Sequence, residues 1–188
     1  MLLTAAGLAV RTAANLADID PGVRTEHALT FGLALQNEAA PVADPRLLIE
    51  EARRRLQQLS GVQAVYAFEV LPILSRERLV TLHVDAVPAA QGETAPWALI
   101  NGADAGALEG LGVRLVAGRW LTAQEDRLGD PVVVLGRSAA NLYFGSVAAA
   151  LGRRLVVTDR GDARTVQIVG VAADVLGNDL ERGAIPRV

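Results

Sequence analysis

The stretch GLGVRLVAGRWLTAQED, residues 110–126, joins an apolar run to a Gly-Arg pair and then to a polar segment. A pair such as Gly118-Arg119 can belong to a phosphate-binding loop, a strained catalytic turn or the end of a structural strand. A phosphate-binding loop needs Gly-x-x-x-x-Gly-Lys-Ser/Thr, with the lysine reaching the phosphates. The chain has no lysine, and the only similar run, GRSAANLYFGS at 136–146, has the wrong spacing. The pattern therefore favours a structural role for the pair.

The composition sets limits on the class of protein. The 188 residues are 51% hydrophobic and 21% charged, which suffices for one sizeable core or two small ones. The net charge of -3 implies no polyanionic partner, and 4% aromatic residues disfavour a stacking platform for nucleic acid. The absence of cysteine excludes disulfides, thiolate catalysis and cysteine-based metal sites.

The hydrophobic spacing of the first half predicts a helix, a strand, a second helix and a second strand, over residues 3–19, 29–35, 45–60 and 62–71. Asp44-Pro45 is typical of a helix start, and Gly61 of a helix end. The apolar stripe of the second helix is expected to be buried: Leu48, Ala52, Leu56 and Leu59. This order of elements predicts a βαβ unit or a split version of one.

The second half predicts more strands than helices. Alternation at 79–87 predicts a strand with Val80, Leu82 and Val84 on its buried side, and WALINGA at 97–103 predicts another. Asp104 is expected to cap a short helix, and TAQEDRLGDP at 122–131 to be a polar linker between sub-domains. From Pro131 the pattern predicts a strand, a helix and two strands joined by a hairpin turn in DRGDAR, residues 159–164.

Candidate catalytic and metal-binding residues do not form a convincing set. A nucleophile elbow needs Gly-x-Ser-x-Gly, whereas Ser138 lacks the second glycine and no histidine follows it in the chain. His27 and His83 are far apart in sequence, and zinc normally takes three or four ligands. We therefore assign no catalytic, cofactor-binding or metal-binding residue, and we expect Ser138 to be a helix-entry residue.

The sequence resembles a known protein family. The opening stretch is similar to a run in the periplasmic core domain of MacB-like (FtsX-like) ABC transporter permeases, and the similarity extends in order over nearly the whole chain. The matching positions are Asp20, Pro21, Gly22, Pro72, Leu111, Gly112, Leu115, Gly118, Arg119, Thr122, Gly152, Val169, Gly170, Val171 and Asp174. Ala150 replaces a usual proline, Leu121 replaces a usual aromatic residue, and the segment 88–100 has little familiar pattern.

The resemblance implies a mixed α/β (α+β) fold of two parts. It places the trimmed end of a membrane-proximal helix at 1–20, a porter-like βαβ part at 25–126 and a smaller, strand-rich, sabre-like part at 127–183. The two parts can be interleaved along the sequence. It also implies that several matching residues are fold positions rather than catalytic ones: Pro21, Gly22, Gly61, Gly112, Gly118, Arg119, Gly152 and Gly170. Arg119 is expected to bond nearby carbonyls or a carboxylate.

The resemblance further implies a non-enzymatic domain on the extracytoplasmic (periplasmic) side of the cell inner membrane, where it relays ATP-driven motion. Its expected partners are the transmembrane helices of its own permease, a cytoplasmic ATPase, and a periplasmic substrate or partner, with no cofactor and no nucleic acid. Two alternatives stay open. One is a free-standing extracytoplasmic ligand-binding module, and the other is a serine hydrolase that uses Ser138.

Overall fold

The computed structural model describes residues 11, 22–24, 26–33, 45–71, 78–84 and 96–175. Its helices are α1 (Pro45–Gln57), α2 (Ala107–Gly110), α3 (Ala123–Leu128), α4 (Arg137–Phe144) and α5 (Val147–Ala150). Its strands are β1 (Arg78–His83), β2 (Trp97–Ile100), β3 (Leu115–Gly118), β4 (Val132–Gly136), β5 (Arg154–Asp159) and β6 (Asp162–Ala172). The predicted helix at 3–19 lies outside the described residues except for Arg11, and so does Pro21.

The six strands form one sheet, and β6 is its centre. The order is β2-β1-β5-β6-β3, and β4 pairs with β6 as well. Gln167 of β6 pairs with Arg154 of β5 and with Val132 of β4, so β5 and β4 lie on opposite edges of β6. The last residues of β6 pair antiparallel with β3, while β4 runs parallel to β6. One long strand therefore contacts three others.

The hairpin predicted between the last two strands is present between β5 and β6, and its turn has two residues. Asp159 pairs with Asp162, and the turn residues Arg160 and Gly161 have φ angles of 49° and 96°. A type I′ turn requires positive φ at both central residues, because its twist then matches that of the flanking strands. Glycine meets this requirement without strain at the second position.

The main core lies between the sheet and the pair α4–α5. Leu82, Leu135, Leu155 and Ile168 are its largest buried side chains, and Ala139 and Ala140 of α4 pack among them. The alternation predicted for β1 is confirmed, since Val80, Leu82 and Val84 are buried. A second, smaller cluster is centred on Val113, Ala172 and Val175. Val171 belongs to the first cluster and Ala172 to the second, as expected for successive residues of a strand.

The βαβ unit predicted for the first half is wrong for the described residues. Residues 28–33 have no regular secondary structure, and 62–71 contribute only the isolated bridge between Phe68 and Ala103. The predicted stripe of α1 is not buried either, since Leu48 and Leu59 are exposed. Alternating and helical patterns select a face for burial, but burial requires a partner, and none of the described strands pairs with 28–33.

Two local expectations are also corrected. Gly106, not Asp104, is the N-cap of α2, and the Asp104 carboxylate instead accepts hydrogen bonds from Arg53 and from the backbone N–H of Ala67. The polar linker at 122–131 contains the helix α3. The reason is a capping box, in which the side chains of Thr122 and Glu125 satisfy the first free N–H groups of a short helix.

The mixed α and β composition is as expected, and the division into two parts stays a prediction. Strands β1, β2 and β3 come from the segment expected to be porter-like, whereas β4, β5 and β6 come from the segment expected to be sabre-like. They belong to a single sheet, because β1 pairs with β5 and β3 pairs with β6.

The pairing of β3 with β6 depends on two glycines that lie opposite each other, Gly118 and Gly170. A Cβ on Gly118 would lie 2.8 Å from Leu151 Cδ2 and 2.9 Å from Gly170 Cα, and Gly118 has a φ of 78°. A Cβ on Gly170 would overlap the carbonyl oxygen of Arg119. Real Cβ atoms do not approach backbone this closely, so a larger residue at either position must push the strands apart.

We expect Gly170→Ala to lower the free energy of unfolding by about 1–3 kcal/mol, because its methyl group overpacks the β3–β6 contact. Urea unfolding measures the change. Gly32→Ala is the matched control, since a Cβ there meets nothing within 4 Å, and a change within about 0.5 kcal/mol is expected for it. Equal stability of Gly170→Ala and the control would contradict the close approach.

Candidate functional site

Residue 22, near the start of the described chain, lies beside residues 174 and 175 at its end. A Cβ on Gly22 would lie 2.9 Å from the carbonyl oxygen of Asp174 and 3.5 Å from Val175 Cα. The backbone N–H of Arg24 donates to Leu111 O at 2.6 Å. We call the contact among residues 22–24, 111–113 and 173–175 the junction. At the junction, residues 22–24 lie against residues 173–175, which are the last residues that the structure describes.

Small side chains and one apolar anchor form the junction. Val23 packs against the smaller core cluster, which includes Val113 and Val175. Gly112 has a φ of 78°, and a Cβ there would lie 2.5 Å from Nε of Arg24. The Arg24 side chain therefore lies across Gly112, and the positive φ of Gly112 is a backbone conformation that favours glycine. Gly22 likewise has a positive φ, of 75°.

Asp174 connects the junction to α4. Its Oδ1 accepts the backbone N–H of Ser138 at 3.0 Å, and its Oδ2 accepts the Ser138 hydroxyl at 2.8 Å. Arg137 Nε lies 3.8 Å from Oδ2, and the Asp174 side chain is 14% exposed. The N-cap residue of α4, Gly136, has no side chain that could accept these bonds. Asp174 therefore caps α4 from another element, and a carboxylate suits the positive end of a helix.

The same contact defines what Ser138 does. It lies in the first turn of α4, as the sequence predicts, and its hydroxyl donates to a carboxylate that also binds its own backbone N–H. Both histidines are exposed on other segments, His27 in a turn and His83 at the end of β1. The structure therefore does not bring together a serine-histidine pair. Within the described part of the chain, no group of side chains could hold a metal ion.

The Gly-Arg pair of the opening stretch is part of a local network. Arg119 follows β3 and donates to both carboxylate oxygens of Glu125, at 2.8 and 2.6 Å, and to Trp120 O at 3.1 Å. Glu125 also accepts the backbone N–H of Thr122 at 2.9 Å. A bidentate arginine-carboxylate pair fixes both side chains in one geometry. Arg119 thus fixes the turn from β3 into α3, and it bonds both a carbonyl and a carboxylate, as expected.

These contacts lower the pKa of Glu125 to about 2. The main cause is the hydrogen bond from Arg119, and the backbone N–H and hydroxyl of Thr122 add to it. Each of these donors stabilises the ionised carboxylate. The sequence contained the signal for this network, because Thr122 and Glu125 have the Thr-x-x-Glu spacing of a capping box.

The other expected fold positions lie in turns. Gly61, after the end of α1, and Gly152, after α5, have φ angles of 89° and 75°, and a Cβ on either would meet nothing within 4 Å. Their role is therefore backbone conformation alone. The N–H of Gly152 also donates to Ile168 O at 2.9 Å. This hydrogen bond places the chain beside β6 just before β5 begins.

A cleft of about 280 Å³ lies beside β4, and no pattern in the sequence predicts it. Strand β4, the loop at 101–106 and residues 172–175 line it, together with apolar side chains such as Leu108 and Trp120. The lining includes Asp104 and Asp174, whose carboxylates already accept hydrogen bonds from other protein groups. No catalytic set of polar groups converges on this cleft among the residues that line it.

The fold and the junction define a class of protein. Among the described residues, polar side chains bond one another and hold backbone in place, and residues 22–24 meet residues 173–175 at the junction. The family model described as the MacB-like periplasmic core domain matches residues 5–184. The chain therefore belongs to this family, whose members are domains of ABC transporter permeases and not enzymes.

The solved structures that are similar to the chain include two transporter domains. The periplasmic region of MacB from Actinobacillus actinomycetemcomitans is 20% identical, with 72% of this chain and 60% of that chain covered and a TM-score of 0.49. The extracellular domain of the noncanonic ABC-type transporter YknZ from Gram-positive bacteria is also 20% identical, with 74% and 60% covered and a TM-score of 0.49. The chain thus spans three fifths of these domains. No curated protein sequence matches it. None of the described helices is long and apolar enough to cross a membrane.

We expect Asp174→Ala to lower the free energy of unfolding by about 0.5–2 kcal/mol, the usual cost of removing a helix cap. Ser138→Ala should cost less, because the backbone N–H of Ser138 keeps its bond to the carboxylate. Urea unfolding of both variants measures the order of the two effects. A larger loss for Ser138→Ala than for Asp174→Ala would contradict the capping role.

We expect Arg119→Ala to lower the melting temperature at pH 7, with the deficit shrinking as the pH falls from about 4.5 towards 2. The folded pKa of Glu125 lies at about 2, below its ordinary value of 4.5, so the carboxylate stabilises the fold above pH 4.5 and loses this effect as it is protonated. Thermal melts across this range test the prediction. Arg127→Ala is the control, since Arg127 Nε donates to the carbonyl of Ala123. A deficit for Arg119→Ala that does not vary with pH would exclude the Glu125 contact as its source.

Proposed function

We propose that this domain lies on the extracytoplasmic side of the cell membrane as part of an ABC transporter permease, and that it relays motion driven by ATP hydrolysis in a cytoplasmic partner. The observation that carries the proposal is the junction, where Gly22 lies against Asp174 and Val175. Any segments that precede and follow the folded body leave it side by side. Movement of either segment therefore acts on one small region of the domain.

The contacts of the junction supply a route for that movement. Asp174 is part of the junction and binds the first turn of α4 through Ser138. Helix α4 in turn packs its buried Ala139 and Ala140 into the main core with strands β1, β4, β5 and β6. Densely packed cores transmit displacement instead of absorbing it. A shift at the junction would thus move α4 and the sheet together.

The proposed partners follow from this arrangement. The transmembrane helices of the same permease would connect to the junction, and a cytoplasmic ATPase subunit or domain would move those helices. The surface away from the junction would then contact a periplasmic substrate or partner protein. Asp104 supports this view of a stiff body, since its contacts with Arg53 and with the N–H of Ala67 hold α1 and the following segment against the loop after β2.

The location is tested with the intact permease in cells. The chain has no cysteine, so Leu142→Cys on α4, whose side chain is 64% exposed, provides a single label site within the domain. We expect a membrane-impermeant thiol reagent to label it in intact cells, because the reagent reaches only the extracytoplasmic side. Ala140→Cys, at a fully buried position of the same helix, is the control and should stay unlabelled. Labelling of Leu142→Cys only after the cells are broken would refute the proposed location.

The relay is tested with the permease and its ATPase in reconstituted membranes. We expect hydrogen exchange at residues 22–24, 173–175 and 137–144 to differ between the nucleotide-free and the vanadate-trapped states. In Asp174→Ala, the difference should persist at 22–24 and disappear at 137–144, since the bond between the junction and α4 is lost. Identical exchange in the two nucleotide states of the unmodified protein would refute the relay.

A further inference from the structure

The hairpin of β5 and β6, with the turn before it, carries a group of unpaired arginines. Four of them are exposed and form no ion pair within the described part of the chain: Arg153, Arg154, Arg160 and Arg164. Of the two aspartates in the hairpin, Asp159 is paired with Arg78, which leaves Asp162 as the opposing charge. The hairpin is therefore locally basic, although the net charge of the whole chain is -3.

The same hairpin has an open strand edge. Strand β4 pairs with β6 only from Gln167 onwards, and the N–H of Gln167 donates to Pro131 O at 2.8 Å. Backbone groups of alternate residues point to the same side of a strand, so those of Ala163 and Thr165 point away from β5, as the N–H of Gln167 does. No strand in the described part of the chain pairs with this edge of β6 before Gln167. Such an edge can take up a further strand.

Arg160, at the tip of the hairpin, holds a backbone conformation that other residues adopt with less strain. Its φ is 49°, and glycine, asparagine or aspartate is preferred at this position of a type I′ turn. The side chain is exposed and forms no ion pair within the described residues that could offset the strain. Strain that serves no contact inside the chain points to a role for the side chain outside it.

The tip of the hairpin lies far from the junction. Strand β6 has 11 residues and runs from Asp162 at the tip to Ala172, directly before residues 173–175. At about 3.4 Å per residue, the strand separates the two by up to about 35 Å. The proposed function places the junction next to the membrane, so the tip would point away from the bilayer. Headgroups of that bilayer would then not supply the negative charge that the arginines attract.

We propose that the β5–β6 hairpin binds an acidic, extended segment of a partner protein. The segment pairs with β6 at Ala163 and Thr165 and brings its carboxylates to the arginines around the hairpin. The open backbone edge selects a polypeptide, and the unpaired guanidinium groups select an acidic one. This inference gives the partner surface of the proposed function a location and a chemistry, and it rests on the proposed function for the position of the membrane.

Binding is tested with the 188-residue chain and a fluorescent, unstructured peptide rich in Glu and Thr. We expect this peptide to bind, and the same peptide with Lys in place of Glu not to bind. Arg160→Asn should weaken binding by up to about fivefold, the range for one exposed ion pair. It should not lower the melting temperature, because asparagine adopts a positive φ more readily. Arg127→Gln, at an exposed arginine of α3, is the control and should bind as the unmodified chain does.

Strand pairing is tested by hydrogen exchange resolved to single amides. The amides of Ala163 and Thr165 should exchange more slowly when the Glu-rich peptide is added. The amide of Arg164 should not change, because Arg164 pairs with Val157 of β5 and its backbone groups point to that strand.

Four results would overturn the proposal. Failure of the Glu-rich peptide to bind would exclude an acidic partner segment, and equal binding by Arg160→Asn and the unmodified chain would exclude the hairpin. Slow exchange of Ala163 and Thr165 without peptide would show that the chain itself covers the edge. Tighter binding to vesicles of anionic phospholipid than to the peptide, with the same loss in Arg160→Asn, would identify a lipid surface. These assays contain no permease and no ATPase, so their failure would leave the proposed role in transport standing.

Discussion

The pairing of β6 with three other strands is the constraint on which the rest of the structure depends. Its first half holds β5, its last residues hold β3, and its other edge holds β4. Strand β1 pairs with β5, and β2 pairs with β1. Every strand of the sheet is therefore connected to β6, either directly or through its neighbours. The strand ends at Ala172, two residues before Asp174, so the central strand of the core also leads the chain to the junction.

This arrangement explains why glycine occurs where strands approach most closely. Gly170 in β6 and Gly118 at the end of β3 leave no space for side chains between them. The chain then turns through Arg119, whose bond with Glu125 holds the start of α3. Gly118 and Arg119 therefore both have structural roles: the glycine permits a close contact, and the arginine fixes the turn that follows it.

How much could be predicted from the sequence depends on whether the signal is local. The strands β1, β2, β4, β5 and β6 and the helices α1 and α4 are found where periodicity places them, since alternation and helical spacing are local properties. The turn at Arg160 and Gly161 was equally predictable, because a short polar run with a glycine between two strand patterns is typical of a hairpin turn. The capping box of α3 was visible in the spacing of Thr122 and Glu125, but the polarity of the segment hid it.

The candidate site could be predicted only in part. The family pattern marked Gly22, Gly112 and Asp174 as positions of interest, but sequence spacing cannot show that they meet. The contact of Asp174 with Ser138 joins residues 36 positions apart, and only the folded sheet brings them together. The strand predicted at 29–35 is not found in the described residues 28–33 for the same reason, since a strand needs a neighbour and that neighbour is set by tertiary structure.

The junction has a consequence for how such a body can be joined to other proteins. Because Gly22 and Val175 lie side by side, the folded part between them behaves as a large closed loop with a narrow base. A unit with adjacent ends can be inserted between two neighbouring positions of a host chain without separating them. The host needs to provide only two adjacent attachment points, so the same body can be carried by hosts that differ in every other respect.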